Sequence, residues 1–143
     1  MAKKNEIEKK EQEVIEQPTL AKEFEYENVG NVKYDIPKTT SIFDLKAQVP
    51  FRMIQNGVKT VSTGIKVRIP EGHIGLVLTD SVLDAKTQVC VLGAPIVIRP
   101  ELEAKEVMIT LKMLGAGYKI FNMGDKLGEM LILPAKEVKV MKK

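Results

Sequence analysis

Thr63-Gly64-Ile65-Lys66-Val67-Arg68-Ile69-Pro70-Glu71-Gly72-His73-Ile74-Gly75 is the stretch whose reading decides the fold. Ile65, Val67 and Ile69 alternate with Lys66 and Arg68, so one face of an extended chain is apolar and the other charged, as in a strand lying on a core. Pro70-Glu71-Gly72 is a turn signal that stops the strand, and Ile74 opens another. Outward from this run, the same alternation recurs from Ser41 onward. It predicts strands at 43–47, 51–54, 59–69, 74–79, 89–92, 96–98, 106–114, 118–121, 129–133 and 136–141. Turns are expected at Gln55-Asn56-Gly57, Gly115-Ala116-Gly117 and Met123-Gly124-Asp125. Nothing between the strands has the length and period of a stable helix, so the domain reads as an all-β sandwich or distorted barrel.

A chain of 143 residues suits one domain with a real core. Cys90 is the single cysteine and stands in the apolar run Val89-Cys90-Val91, which reads as a buried core thiol and excludes an internal disulfide or a cysteine zinc cluster. No apolar run approaches the ~20 residues of a membrane span, and the first residues lack the apolar segment of a signal peptide. An intracellular or virion-associated protein is expected, without a membrane partner. Residues 1–27 hold eight Glu and five Lys, so a net charge of +3 divides into −3 there and +6 in the rest. The basic residues alternate with apolar ones as on a solvated strand face, which argues against nucleic acid as the partner.

Residues 2–17 contain only Ile7, Val14 and Ile15 as large apolar side chains, too few to offset their own ordering entropy. Glu6 and Lys10 form an i,i+4 pair worth tenths of a kcal/mol to a transient helix, which Pro18 ends. Phe24, Tyr26, Val29, Val32, Tyr34 and Ile36 then suit an extended strap lying on a surface. The expected division is a polar N-terminal arm, residues 1–38, and a β domain, residues 39–143, with the arm docking on another protein.

The run from Thr63 to Gly75, with Gly124-Asp125-Lys126-Leu127-Gly128 about fifty residues on, resembles the trimeric dUTPase and dCTP deaminase superfamily over about residues 40–134. The resemblance implies a distorted jelly-roll or β-barrel fold and a homotrimer. It further implies a nucleotide site built from five motifs. In Ser41-Ile42-Phe43-Asp44-Leu45, Asp44 takes the place of a residue that helps hold the waters of a magnesium ion. In Thr79-Asp80-Ser81-Val82, Ser81 matches a phosphate-binding serine, but Asp80 stands where the family has arginine and Val82 where it has glycine. The third motif supplies a water-activating aspartate and an aromatic ring; the matching stretch, Ile98-Arg99-Pro100-Glu101-Leu102-Glu103-Ala104, puts Arg99 at the aspartate position. Arginine cannot act as a general base, because it stays protonated. The fourth motif is kept as Gly124-Asp125-Lys126-Leu127-Gly128-Glu129, and the glycine-rich closing segment is absent from Val138-Lys139-Val140-Met141-Lys142-Lys143. The deaminase branch would need an arginine at Ala85 and a glutamate near Lys112. The only histidine, His73, falls in the turn after Pro70 and reads as a turn residue.

From these substitutions the sequence predicts a non-enzymatic homotrimer that uses the fold as a building block, an auxiliary or decorating part of a virus or phage particle that partners itself and a protein bound by residues 1–38. Asp44, Ser81, Arg99, Asp125 and Lys126 are then the remnant of a nucleotide site, with no catalytic residue, metal or cofactor. The alternative is a divergent dUTP diphosphatase, for which magnesium would be needed, or a nucleotide-sensing regulatory protein. Filling of the former site by Arg99, Leu102 and Val82 would favour the structural role.

Overall fold

The computed structural model describes residues 17–143, in which eleven elements follow one another as β1 (Glu25–Asn28), β2 (Ile42–Lys46), β3 (Phe51–Ile54), β4 (Val58–Arg68), β5 (His73–Leu78), α1 (Ser81–Thr87), β6 (Val89–Val91), β7 (Ile96–Ile98), β8 (Lys105–Met113), β9 (Tyr118–Phe121) and β10 (Lys126–Pro134). The strands form two four-stranded sheets, ordered β1-β4-β8-β6 and β2-β10-β5-β7, and a two-stranded ribbon β3-β9. Every pairing is antiparallel. This is the expected all-β distorted jelly roll.

The alternation seen in the sequence decides which side chains go inside. Ile65, Val67 and Ile69 from β4 and its end, Ile109 and Leu111 from β8, and Leu45, Val77, Leu127 and Met130 from the opposite sheet are all buried. They meet as one core. Each fully buried side chain of this size contributes about 1.5–3 kcal/mol relative to exposure. The ribbon closes one end through Phe51 and Phe121, whose rings stack with centroids 4.8 Å apart.

At the bend of β4 the packing becomes polar and closely specified. Gly64 has φ +72°, and the β4–β8 register shifts between Ser62 and Lys66. The Thr63 carbonyl there accepts a hydrogen bond from the Tyr34 hydroxyl at 2.6 Å and another from Gln48 Nε2 at 2.9 Å. The Tyr34 hydroxyl in turn accepts from the Lys46 backbone N–H at the end of β2, and Gln48 Oε1 accepts from the Val32 N–H. Asn28 brackets the backbone of Tyr34 from both sides, accepting from its N–H and donating to its carbonyl. Burial pushes the Tyr34 phenol up from the ordinary tyrosine range, so it stays a neutral donor here.

Several expectations are corrected by these observations. The boundary at residue 38 does not divide the described chain. β1 pairs with β4, Glu25 binds Arg68 at 2.8 Å, and Ala21 and Tyr34 are buried, so the strap lies on its own domain. The expected arm segment 1–16, with its Glu6 and Lys10 pair, lies outside the described residues. A short helix, α1, occupies a stretch expected to have none: Asp80 caps it by accepting from the Val82 N–H at 3.3 Å, a cap residue at the right place for a helix too short to show a period. The strand expected at 136–141 does not form. Its apolar residues Val138, Val140 and Met141 are exposed, because β10 is already paired on both edges, with β2 and β5. Cys90 is half-buried rather than buried, since Val89 and Val91 take the inward positions of β6.

Gly64 and Gly72 share nearly the same φ, +72° and +74°, but differ in their surroundings. A Cβ on Gly64 would meet Gln48 Cδ at 2.3 Å, whereas one on Gly72 meets nothing within 4 Å. Gly72→Ala is expected to cost about 1–2 kcal/mol, the left-handed backbone penalty alone. Gly64→Ala should cost at least ~1 kcal/mol more, because Gln48 must also leave a buried hydrogen bond. Urea unfolding at matched protein concentration measures both; equal losses would contradict the account.

Candidate functional site

Four charged side chains converge where β2, β10 and α1 meet. Lys126 Nζ lies 2.6 Å from Glu129 Oε1, 3.2 Å from Asp44 Oδ1 and 3.6 Å from Asp80 Oδ1. Asp44 and Glu129 are direct cross-strand partners in the β2–β10 register. Lys126 and Glu129 are three apart on one strand, a spacing that ordinarily places side chains on opposite faces. The register shift between Lys126 and Gly128 supplies the extra residue that brings them together. Asp80 arrives from the other side as the cap of α1, with its side chain only 12% exposed. Partial desolvation pushes the Lys126 ammonium down, but hydrogen bonds to Glu129 and Asp44 outweigh it and hold the group well above the usual lysine range.

Beside this cluster is an opening of about 270 Å³ lined by Asp80, Val82, Lys86, Lys119, Phe121, Asp125 and Lys126. Three lysines from α1, β9 and β10 thus face two aspartates. Asp125 Oδ2 accepts from the Asn122 N–H at 2.8 Å, which fixes the turn before β10. Ser81 is exposed at the first position of α1, next to Asp80.

A second, larger cavity of about 340 Å³ lies between the ends of β4, β5, β7 and β8. Val67, Ile69, Val77, Ile96 and Val107 give it apolar walls, and Arg68, Arg99, Glu101 and Glu103 line its rim. Arg68 reaches Glu25 and the Thr19 carbonyl through its two terminal nitrogens, while its Nε is buried with no hydrogen-bond partner. Glu101 pairs with Lys105 at 2.7 Å.

Of the residues singled out in the sequence, the structure therefore joins Asp44 and Lys126 directly and sets Asp125 in the wall of the adjoining opening, while Ser81 stands at the start of α1 after Asp80. Arg99 goes to the second cavity, which shares no lining residue with the opening. Asp80, taken in the sequence as a substitution, and Glu129, at the end of the kept fourth motif, are partners in the cluster. Lys86 and Lys119 were missed. Lys86 sits on a helix that the sequence did not show, and Lys119 on a strand remote in sequence, so only the fold brings them together.

Comparisons with known proteins agree on one architecture. Over 85% of its length the chain superposes on a point mutant of the dUTPase from phage phi11 of S. aureus, with a TM-score of 0.71 and 16% identity, covering 96% of that chain. The EIAV dUTPase gives a TM-score of 0.68 and 19% identity over the same shares. A deoxyuridine 5′-triphosphate nucleotidohydrolase of Anaplasma marginale (strain St. Maries) is 29% identical over 107 residues, 73% of this chain and 71% of that protein. The chain has the fold of the dUTPases and is similar in sequence to a deoxyuridine 5′-triphosphate nucleotidohydrolase. No protein-family model matches it.

The similarity to these proteins corrects the expectation of a non-enzymatic assembly part of a virus or phage particle. The similar protein is a nucleotidohydrolase and the superposing structures are dUTPases. Nor is the former site filled in: Val82 and Leu102 are 58% and 50% exposed, and Arg99 is exposed as well. Asp44, the residue that the resemblance assigns to the waters of a magnesium ion, is paired with Lys126 at 3.2 Å. The three carboxylate oxygens are gathered on the Lys126 nitrogen, and the described residues hold no group of three or more acids, histidines or cysteines arranged for a metal ion.

The raised Lys126 has a signed consequence. A group whose proton is held more tightly in the folded state stabilises fully below its ordinary value, about pH 10.4, and loses that contribution as pH rises through the folded value. The stability gap between the wild type and Lys126→Gln should therefore be constant up to about pH 10 and narrow above it. Urea midpoints from neutral to alkaline pH measure this; a gap that does not narrow would contradict the assignment.

Proposed function

We propose that the chain is a divergent dUTP nucleotidohydrolase acting as a homotrimer, with the nucleotide's phosphates held at the opening between α1, β9 and β10. The observation that carries this reading is that Lys86 and Lys119 stand on one concave surface beside Lys126, which is itself paired with Asp44 and Glu129. Cations on a partly enclosed wall are what a polyphosphate needs. Asp80 replaces the family's arginine, and Lys86 and Lys119 restore positive charge close by. The similarity to a deoxyuridine triphosphate nucleotidohydrolase and to dUTPase structures supports the substrate class.

The apolar cavity beside Arg99 is the natural place for a base, since its walls are Val67, Ile69, Val77, Ile96 and Val107. It shares no lining residue with the lysine opening within one chain. The proposal therefore has the base in one chain's cavity and the phosphates at the opening of another copy in the trimer. With Arg99 unable to take a proton, Glu101 bound to Lys105 and Glu106 accepting from the Ser62 hydroxyl, Glu103 is the carboxylate of this cavity left to activate water.

A nucleotide sensor that binds without turnover is the second reading, favoured by Arg99 at the base position. A point mutant of the Staphylococcus bacteriophage 80alpha dUTPase superposes with a TM-score of 0.71 at 14% identity, and such phage dUTPases control transfer of virulence genes.

Light scattering should give about three times 16.0 kDa. Purified protein supplied with dUTP and magnesium should release pyrophosphate with a turnover below ~1 s⁻¹, the low end of ordinary enzymes. Lys119→Ala should weaken dUTP binding roughly tenfold, equivalent to about 1.4 kcal/mol, and Glu103→Gln should abolish release without changing affinity. Saturable binding without pyrophosphate selects the sensor; no binding of dUTP at all overturns both readings.

A further inference from the structure

We propose that Phe121 is a positioning residue of the lysine opening, holding the Lys119 ammonium over the face of its ring in place for a phosphate. Both side chains line the opening. Lys119 Nζ stands over the Phe121 ring, 5.5 Å from its centroid, within the distance at which the negative face of an aromatic ring attracts a cation. The inference rests on the reading that phosphates bind at this opening. It adds what holds one of the two lysines there.

The ring is fixed before any ligand arrives. Residues two apart on a strand share a face, so β9 sets Lys119 beside Phe121, while the alternate residues Tyr118 and Ile120 are exposed. Phe121 is 1% exposed and lies directly opposite Phe51 in the β3–β9 register. The two rings stack at 4.8 Å and 16°, and Phe51 carries a lysine of its own, with Lys59 Nζ 5.2 Å from its centroid. Charge distinguishes this arrangement from that of Lys126. Carboxylates hold Lys126 and offset its charge, whereas no carboxylate among the described residues pairs with Lys119. A ring has no net charge, so it orients the ammonium and leaves the whole positive charge for an anion. The lysine stem also gives up part of its rotamer freedom in the free protein, which lowers what a phosphate must order on binding.

Calorimetric titration of the full chain with inorganic triphosphate tests the pair without a base or a reaction. Phe121→Leu, which keeps an apolar side chain and removes the ring, should weaken binding about threefold. In the Lys119→Ala background the same substitution should change nothing, because the ring acts only through the lysine. Nuclear magnetic resonance of the wild type supplies a reading that needs no variant to fold. The Lys119 ε-methylene protons should carry an upfield ring-current shift in the free protein and keep it when triphosphate saturates. A wild type that binds no triphosphate overturns the phosphate reading and this inference together. Binding that Phe121→Leu weakens equally with and without Lys119, or not at all, overturns the inference alone, as does a ring-current shift that is absent or vanishes on saturation.

Discussion

The Thr63 carbonyl accepts two hydrogen bonds inside the protein, from Tyr34 and from Gln48, and the position of nearly every functional element depends on this junction. Three remote segments meet there. The strap through residues 28–34, the end of β2 and the bend of β4 are tied by one phenol, one amide and one carbonyl. A buried carbonyl left unpaired would cost about 1–3 kcal/mol, so the arrangement is close to all-or-none. Gly64 is part of the same constraint, since any side chain there would occupy the space of Gln48.

From that junction the site follows by pairing. Tyr34 fixes the Lys46 N–H, β2 runs back from it through Asp44, and β10 pairs with β2 so that Glu129 lies opposite Asp44. The bulge before Gly128 turns Lys126 onto the same face. On the far side β10 pairs with β5, whose end leads through Thr79 to Asp80 and α1. Thr79 Oγ1 accepts from the Val91 N–H, anchoring that corner to β6. The cluster is charged but not adrift: each member stands on an element with partners in the core.

Most of the sheet was legible because β3, β4, β5 and β8 bury alternate residues over much of their length, and alternation is what a sequence displays. β1 was not, since Glu25 and Glu27 face solvent and its neighbours in sequence, not the strand itself, supply the buried anchors. The segment after Pro134 failed in the opposite way, with ideal alternation and no free edge of β10 to join. For the site, family motifs identified Asp44 and Lys126, which do meet. Glu129 needed the bulge, Lys86 the unseen helix, and Lys119 the ribbon β3-β9, none of which a one-dimensional pattern carries. Reading Asp80 only as a lost arginine hid its two roles, helix cap and Lys126 partner.

The account's central claim is that the lysine opening holds phosphates while Lys126 keeps its carboxylates. A crystal structure with a non-hydrolysable dUTP analogue tests it most directly. The account predicts phosphate oxygens within hydrogen-bond reach of Lys86 and Lys119, with Lys126 still bound to Asp44 and Glu129. Phosphates seated instead among Arg68 and Arg99, with the opening between α1 and β9 vacant, would contradict it.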